Sequence, residues 1–570
     1  MQYQNSKRDI IYPIVLAVVL VVGIFIGIRF GARTEKPSLL VYPKTDKLSS
    51  VINYIQDEYV DTVSMSTLVE NTIPSILKNL DPHSVYIPAQ DFQSVNEPLE
   101  GGFDGIGIQF NMSNDTAVVV NTIPGGPSER LGILAGDRII TVNGRNIAGV
   151  KFQFDSIPKL LKGPTGTHVK VGIKRSEVKE LIDFDIIRDK IPINSVDVSY
   201  MINSDVGYIK ITTFAKTTYK EFLQGVEKLR GLGMKKLILD LRSNSGGYMD
   251  AATNIANEFL QKGQLIVYTQ GKNRARQDIY SNGAGTCQDL DLEILIDEFS
   301  ASASEILAGA VQDNDRGKII GRRSFGKGLV QEQIFFSDGS ALRLTIARYY
   351  TPAGRSIQKP YKPNDDDYFN DISNRYMHGE FQEADSIQFA DSLKFYTIGG
   401  RVVYGGGGIM PDVFVPLDTV GITPYLQQVS RRNLIYRYAF SFADKYRKDI
   451  RSLKDFNSVD NFLGKFNLLK DFVAFAEQNG VAPNDKEIKI SKLILESQLK
   501  ATIARNIIDS DGFYPYIKAI DETLLKAIEL MEQSVNQPTA AISFKNTDPR
   551  ILVGAQLKTW VRNDVIAAVV

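Results

Sequence analysis

Residues 300–331, SASASEILAGAVQDNDRGKIIGRRSFGKGLVQ, decide how this chain folds and what it can do. The apolar run LEILID at 292–297 leads into them, three serines alternate with two alanines, and Ile306, Leu307 and Ala310 then fall on one helical face. Strand, tight turn and helix in that order form the repeating unit of an α/β sheet. Ser300, Ser302 and Ser304 therefore lie at a helix N-terminus, where free amides and the positive end of the helix dipole suit a developing oxyanion. Ser302 with Glu305 three residues later is equally a capping box, which stabilises a helix and does no chemistry.

Chemistry enters with Lys327, in SFGKG. A serine hydroxyl is a weak nucleophile until a neighbour takes its proton, and an amine can do so only while uncharged. Gly326 and Gly328 allow close backbone approach, while Phe325 and Leu329 supply apolar surroundings that push a lysine pKa down by desolvation. If GKGLVQEQIFF is a strand, Lys327, Leu329 and Gln331 share a face, and Gln331 orients the amine without charging it. A second apolar strand, LILDLR at 237–242, runs into SNSGGYMD, whose Gly246–Gly247 pair is a natural amide donor loop. Ala303, which follows Ser302, supplies the other amide of an oxyanion hole; an ordinary turn is the alternative for the glycine pair.

SASASEILAGAVQD, SFGKGLVQ and LDLRSNSGG together resemble the carboxyl-terminal processing proteases, periplasmic or lumenal serine proteases with a serine–lysine dyad. The resemblance implies Ser302 as nucleophile, Lys327 as base and Gln331 as the residue that orients it, with Gly246 and Ala303 as oxyanion donors. It extends from about Asp46 to Val415 and takes in LDPHSVY from Leu80, ARYYTPAGRSIQ from Ala347 and GGRVVYGGGGIMPDV from Gly399. Ser324 stands where threonine is common in that family, a change expected to be neutral. A ClpP/crotonase-like α/β protease core is implied, with neither metal nor organic cofactor.

Other hydrolytic chemistries lack their parts. The chain has three histidines, His83, His168 and His378, one cysteine, Cys287, and no G-x-S-x-G, H-E-x-x-H or Walker A motif. Lys+Arg and Asp+Glu both number 66, so no basic excess points to nucleic acid. At 570 residues and 43% apolar content the chain can build several packed cores.

Ile10–Ile28 is a run of nineteen residues without a charge, long enough to cross about 30 Å of hydrocarbon. It reads as an uncleaved signal-anchor, with Lys7 and Arg8 on the cytoplasmic side and the catalytic body on the periplasmic or extracytoplasmic side of a bacterial cytoplasmic membrane. A cleaved signal peptide is the rival reading. Leu48, Val51, Ile52 and Ile55, then Leu68, Ile73, Ile76 and Leu77, have helical spacing suited to packing within the chain or against another subunit. A homo-oligomer or an adaptor is left open.

GGFDGIGIQF, followed by the segment at 118–147, is similar to a PDZ domain. In that family a Gly-rich loop offers amides to a terminal carboxylate, and the next strand takes the peptide as an added strand. The resemblance places this at Gly105, Ile106, Gly107 and Ile108. Expected divisions are a signal-anchor and linker at 1–35, an N-terminal helical segment at 36–97, a PDZ domain at 98–178, the protease core at 179–421 and a C-terminal helical domain at 422–570. The polar segment 364–386 is expected as an exposed insertion. The reading is a membrane-anchored serine endopeptidase that acts on proteins or peptides with exposed C-termini; the alternative is a catalytically silent PDZ scaffold that binds such tails.

Overall fold

The computed structural model describes residues 15–26, 47–113, 115–175, 178–364, 367–387, 390–533 and 568–569. The chain divides into two compact units, Met1–Ile73 and Pro74–Val570. In the first, residues 15–26 and Lys47–Glu58 are helical, and no residue of Lys47–Glu58 is buried; Leu48 and Val51 are exposed. The expected anchor at 10–28 thus lies partly outside the described residues. Among those described, no helix is long and apolar enough to cross a membrane.

The second unit is built on a six-stranded sheet in the order Val196–Met201, Val206–Ile211, Lys236–Asp240, Asp291–Ile296, Lys318–Gly321, Val413–Phe414. Its first pair is antiparallel and the others are parallel. Alternation along the strands separates two cores. Leu237, Leu239, Ile294 and Ile296 pack with helices Thr218–Gly231, Met249–Phe259 and Ala303–Asp313. Ile238, Leu295 and Ile320 pack instead with Leu524, Ala527 and Met531 of helix Glu522–Gln533. Strands covered on both faces are apolar throughout, which is why LILD and LEILI read as continuous runs.

A five-stranded sheet positions Gln331 and the loop that carries Lys327. Leu329–Phe335 pairs with Ala341–Tyr350, which also pairs with Val85–Ile87. That second pairing brings the LDPHS turn, distant in sequence, beside Gln331.

The PDZ-like sheet consists of Ile108–Ser113, Thr116–Thr122, Arg138–Val142, Arg145–Asn146, His168–Lys174 and Ile182–Ile187, with Ala568–Val569 at its edge. The strand at 182–187 pairs along the length of His168–Lys174. The boundary expected at 178 therefore cuts through this sheet and belongs after Ile187. Two helices pack here, Pro127–Arg130 and Ser156–Leu161. A bundle from Pro424 to Ile517 has its own aromatic-rich core. It also braces the PDZ-like sheet: Phe440 packs on Val118 and Val120, and Arg138 pairs with Asp444 at 3.1 Å.

Candidate active site

The three serines of SASAS have different surroundings, and this separates them. Ser300 Oγ donates to the Leu241 carbonyl at 2.9 Å, and Ser304 Oγ donates to the Asn244 carbonyl at 2.9 Å; both residues are fully buried. They pin the turn to the SNSGG loop, as does the Ala301 N–H, which donates to the same Asn244 carbonyl. Ser302 is partly exposed and stands at the N-terminus of Ala303–Asp313 with φ 56° and ψ −111°. A non-glycine residue held in this region is strained, and such strain clusters at functional sites.

Glu305 and Tyr349 hold the serine turn and the lysine loop together. The buried Glu305 carboxylate accepts from the Ser302 N–H at 2.8 Å, the Gly326 N–H at 2.8 Å, the Lys327 N–H at 2.9 Å and Ser324 Oγ at 2.5 Å. Burial pushes its pKa up to about 7 against the pull of those four donors. The capping relation expected from Ser302 and Glu305 is present, and the same carboxylate also organises the lysine loop. Ser324 supplies only a hydroxyl, which also accepts from the Ile409 N–H at 2.6 Å. Threonine carries the same group. Tyr349 donates to the carbonyls of both Ser302 and Lys327.

Lys327 lies in the loop before its strand, which begins at Leu329 and shifts register between Val330 and Gln331. The expected contact survives: Lys327 Nζ donates to Gln331 Oε1 at 3.2 Å, and Gln331 Nε2 donates to the His83 carbonyl. Burial lowers the Lys327 pKa from its usual value, and the Arg343 guanidinium lowers it further. His83 is held neutral, lowered to about 4 by burial and by the Lys327 charge, and its Nε2 lies 3.0 Å from the Tyr368 hydroxyl.

Two contacts that the dyad reading requires with substrate in place are not made in this arrangement. Among the described residues no hydrogen bond joins Ser302 Oγ to Lys327 Nζ. The Gly246 N–H donates to Asn244 Oδ1 at 2.9 Å, so it does not face a substrate carbonyl in this arrangement. The residue nevertheless lies against the serine turn: a Cβ on Gly246 would lie 2.8 Å from Ser302 Cβ and 3.0 Å from the Ala303 nitrogen, at φ +105°. Only glycine fits so close to Ser302.

The segment 364–386 is exposed over much of its described length but is anchored by three side chains. Tyr368, Arg375 and Phe381 are buried, and Arg375 donates to the carbonyls of Ser324 and Arg323, behind the lysine loop. Lys359 lies over the rings of Phe325 and Tyr368, at 4.0 and 4.2 Å from their centroids. Composition concealed this, because some of the segment's charges are paired, as in Arg375 with Glu380 at 3.1 Å and Asp371 with Lys359 at 3.1 Å.

Residues 205–366 match Peptidase family S41 and residues 105–186 match a PDZ domain. The carboxy-terminal-processing protease of Bartonella bacilliformis is 35% identical over 322 residues, 56% of this chain and 73% of that protein. The chain belongs to the carboxy-terminal processing protease family. Carboxy-terminal processing protease CtpA of Bacillus subtilis is 34% identical over 317 residues, 55% of this chain and 67% of that protein. The solved photosystem II D1 C-terminal processing protease aligns over 65% of this chain and 92% of that one, at 25% identity and a TM-score of 0.33. Residues 425–509 match a family of unknown function. As a member of the processing protease family, the chain is a serine-type peptidase with an α/β protease core, a PDZ domain and a C-terminal helical region.

Proposed function

We propose that this processing protease cleaves by an acyl-enzyme route with Ser302 and Lys327 as its dyad. Ser302 Oγ attacks the scissile carbonyl carbon and its proton passes to Lys327 Nζ. The tetrahedral intermediate collapses, the C–N bond breaks and Lys327 returns the proton to the leaving amine. Water then attacks the ester with Lys327 again as base, and Ser302 regains its hydroxyl. Gln331 orients the amine. The Ala303 amide, joined by the Gly246 amide once it leaves Asn244, stabilises the oxyanion. Substrate binding completes the Ser302–Lys327 hydrogen bond, since such contacts tighten in the substrate complex.

One observation carries this reading. Of three serines in one turn, only Ser302 leaves its hydroxyl free of a carbonyl partner, and the loop tied to it through Glu305 carries a buried lysine of lowered pKa. The PDZ domain receives exposed C-terminal tails at Gly105–Ile108 and presents the upstream chain to Ser302. Residues 10–28 anchor the enzyme in the cytoplasmic membrane of a bacterium, with the catalytic body outside the cytoplasm.

The experiment is incubation of wild type, Ser302→Ala and Lys327→Ala with an unfolded protein that ends in an apolar tail. Fragments from wild type alone are expected; equal yields from all three reject the dyad, and no fragments from any of them favour a scaffold that binds tails. Anchoring is checked by carbonate extraction of membranes, which should leave the full chain in the pellet and release a variant lacking residues 1–35.

A further inference from the structure

Strand Ile108–Ser113 would be the open edge of the PDZ sheet, but the chain itself covers it. Ala568 and Val569 pair antiparallel with this strand, Ala568 opposite Phe110 and Val569 opposite Gln109. An added strand is the mode by which a PDZ edge takes a peptide. The polarity also fits, because an antiparallel partner that passes Phe110 and then Gln109 heads toward Ile108 and the Gly105–Gly107 loop.

We infer that Ala568–Val569 is an internal ligand of the PDZ edge, in competition with substrate tails for the same strand. This rests on the reading that the PDZ domain accepts peptide tails. The surrounding sequence, DVIAAVV at 564–570, suits the role: it carries no charge after Asp564, and Val565, Ile566, Val569 and Val570 are β-branched. The receiving strand is held ready. Ile108 and Phe110 are buried in the PDZ core, and the Asn111 side chain donates to the Tyr436 hydroxyl of helix Leu434–Lys445. What remains at the edge is main chain, whose hydrogen bonds serve tail and substrate alike. Reach is no obstacle. The 34 residues from Ser534 to Ala567 can span on the order of 110 Å at about 3.3 Å per residue.

A tethered ligand acts at an effective concentration in the millimolar range, so a tail affinity of about 0.1 mM already weakens an incoming peptide about tenfold. The enzyme would then spare weak tails and engage those that outcompete its own.

The test uses the full chain carrying Ser302→Ala, so that nothing is cut, and a fluorescent peptide of sequence DVIAAVV as probe. Deletion of Val565–Val570 should tighten probe binding about tenfold or more, and Ala568→Pro, which removes a backbone donor, should act in the same direction. Equal, measurable affinity for intact and deleted chains overturns the inference and leaves peptide binding by the PDZ domain standing. No binding by either chain overturns both. A gain that grows with enzyme concentration assigns the tail to a second copy and also overturns the intrachain contact.

Discussion

Replacing Gln331 by glutamate probes the proposed role of Lys327 as base most directly. Lys327 Nζ donates to Gln331 Oε1 at 3.2 Å, so Gln331→Glu puts a full negative charge where an amide dipole now sits. At that separation and an effective dielectric of about 20, the attraction is about 5 kcal/mol in favour of the ammonium form. The carboxylate also loses the hydrogen bond that Gln331 gives to the His83 carbonyl, a cost of about 1–2 kcal/mol to stability that is the same for amine and ammonium and so leaves the shift unchanged. The preference of about 5 kcal/mol lowers the free-amine fraction, and with it kcat/KM at neutral pH, by about a thousandfold or more. The assay is kcat/KM against pH for wild type, Gln331→Glu and Gln331→Leu. The glutamate variant should regain activity as the pH rises, whereas the leucine variant loses orientation without an upward move of its acid limb. A glutamate variant whose deficit is the same at every pH refutes the argument, because a charge effect on a proton acceptor must depend on pH.

Arg343→Met removes the second cause of the lowered Lys327 pKa, so the acid limb of kcat/KM should move to higher pH; an unmoved limb separates Arg343 from the base. In Glu305→Gln an NH2 group faces two of the four donors, costing about 2–4 kcal/mol in urea unfolding. kcat should fall more than KM changes, because the serine and lysine loops lose their common acceptor; an unchanged kcat would remove Glu305 from that role. Burial pushes Glu293 up to about 8 from 4.5, so the folded chain holds this proton more tightly than the unfolded one. Its contribution is fully present below about pH 4.5 and is lost as pH rises through 8. The Tm of Glu293→Gln should therefore gain on wild type as the pH is raised from about 5 to about 9, and a constant difference would contradict the burial argument.

Several parts of the site were legible because their causes are local. The helical period from Glu305, the continuous apolar runs before Arg242 and Asp297, and the glycines around Lys327 each act on neighbours a few residues away. The reading of Lys327 and Gln331 on one strand face was right about the contact and wrong about its setting, since Lys327 lies in a loop and a register shift intervenes. Glu305 was visible only as a cap. Nothing in the spacing shows that three of its four donors come from residues 324–327, brought to it by the fold.

The sequence by itself determined the element types, the PDZ-like loop and the identity of the chemical groups, because periodicity, turn residues and side-chain chemistry belong to short stretches of chain. Tertiary structure alone decided which groups meet. It gave Ser300 and Ser304 carbonyl partners and left Ser302 without one, turned the Gly246 amide to Asn244, anchored the polar segment 364–386 behind the lysine loop and laid Ala568–Val569 along the PDZ edge. A hydrogen bond is satisfied by whichever partner the packed chain brings within about 3 Å, and that partner is set by contacts between segments far apart in sequence.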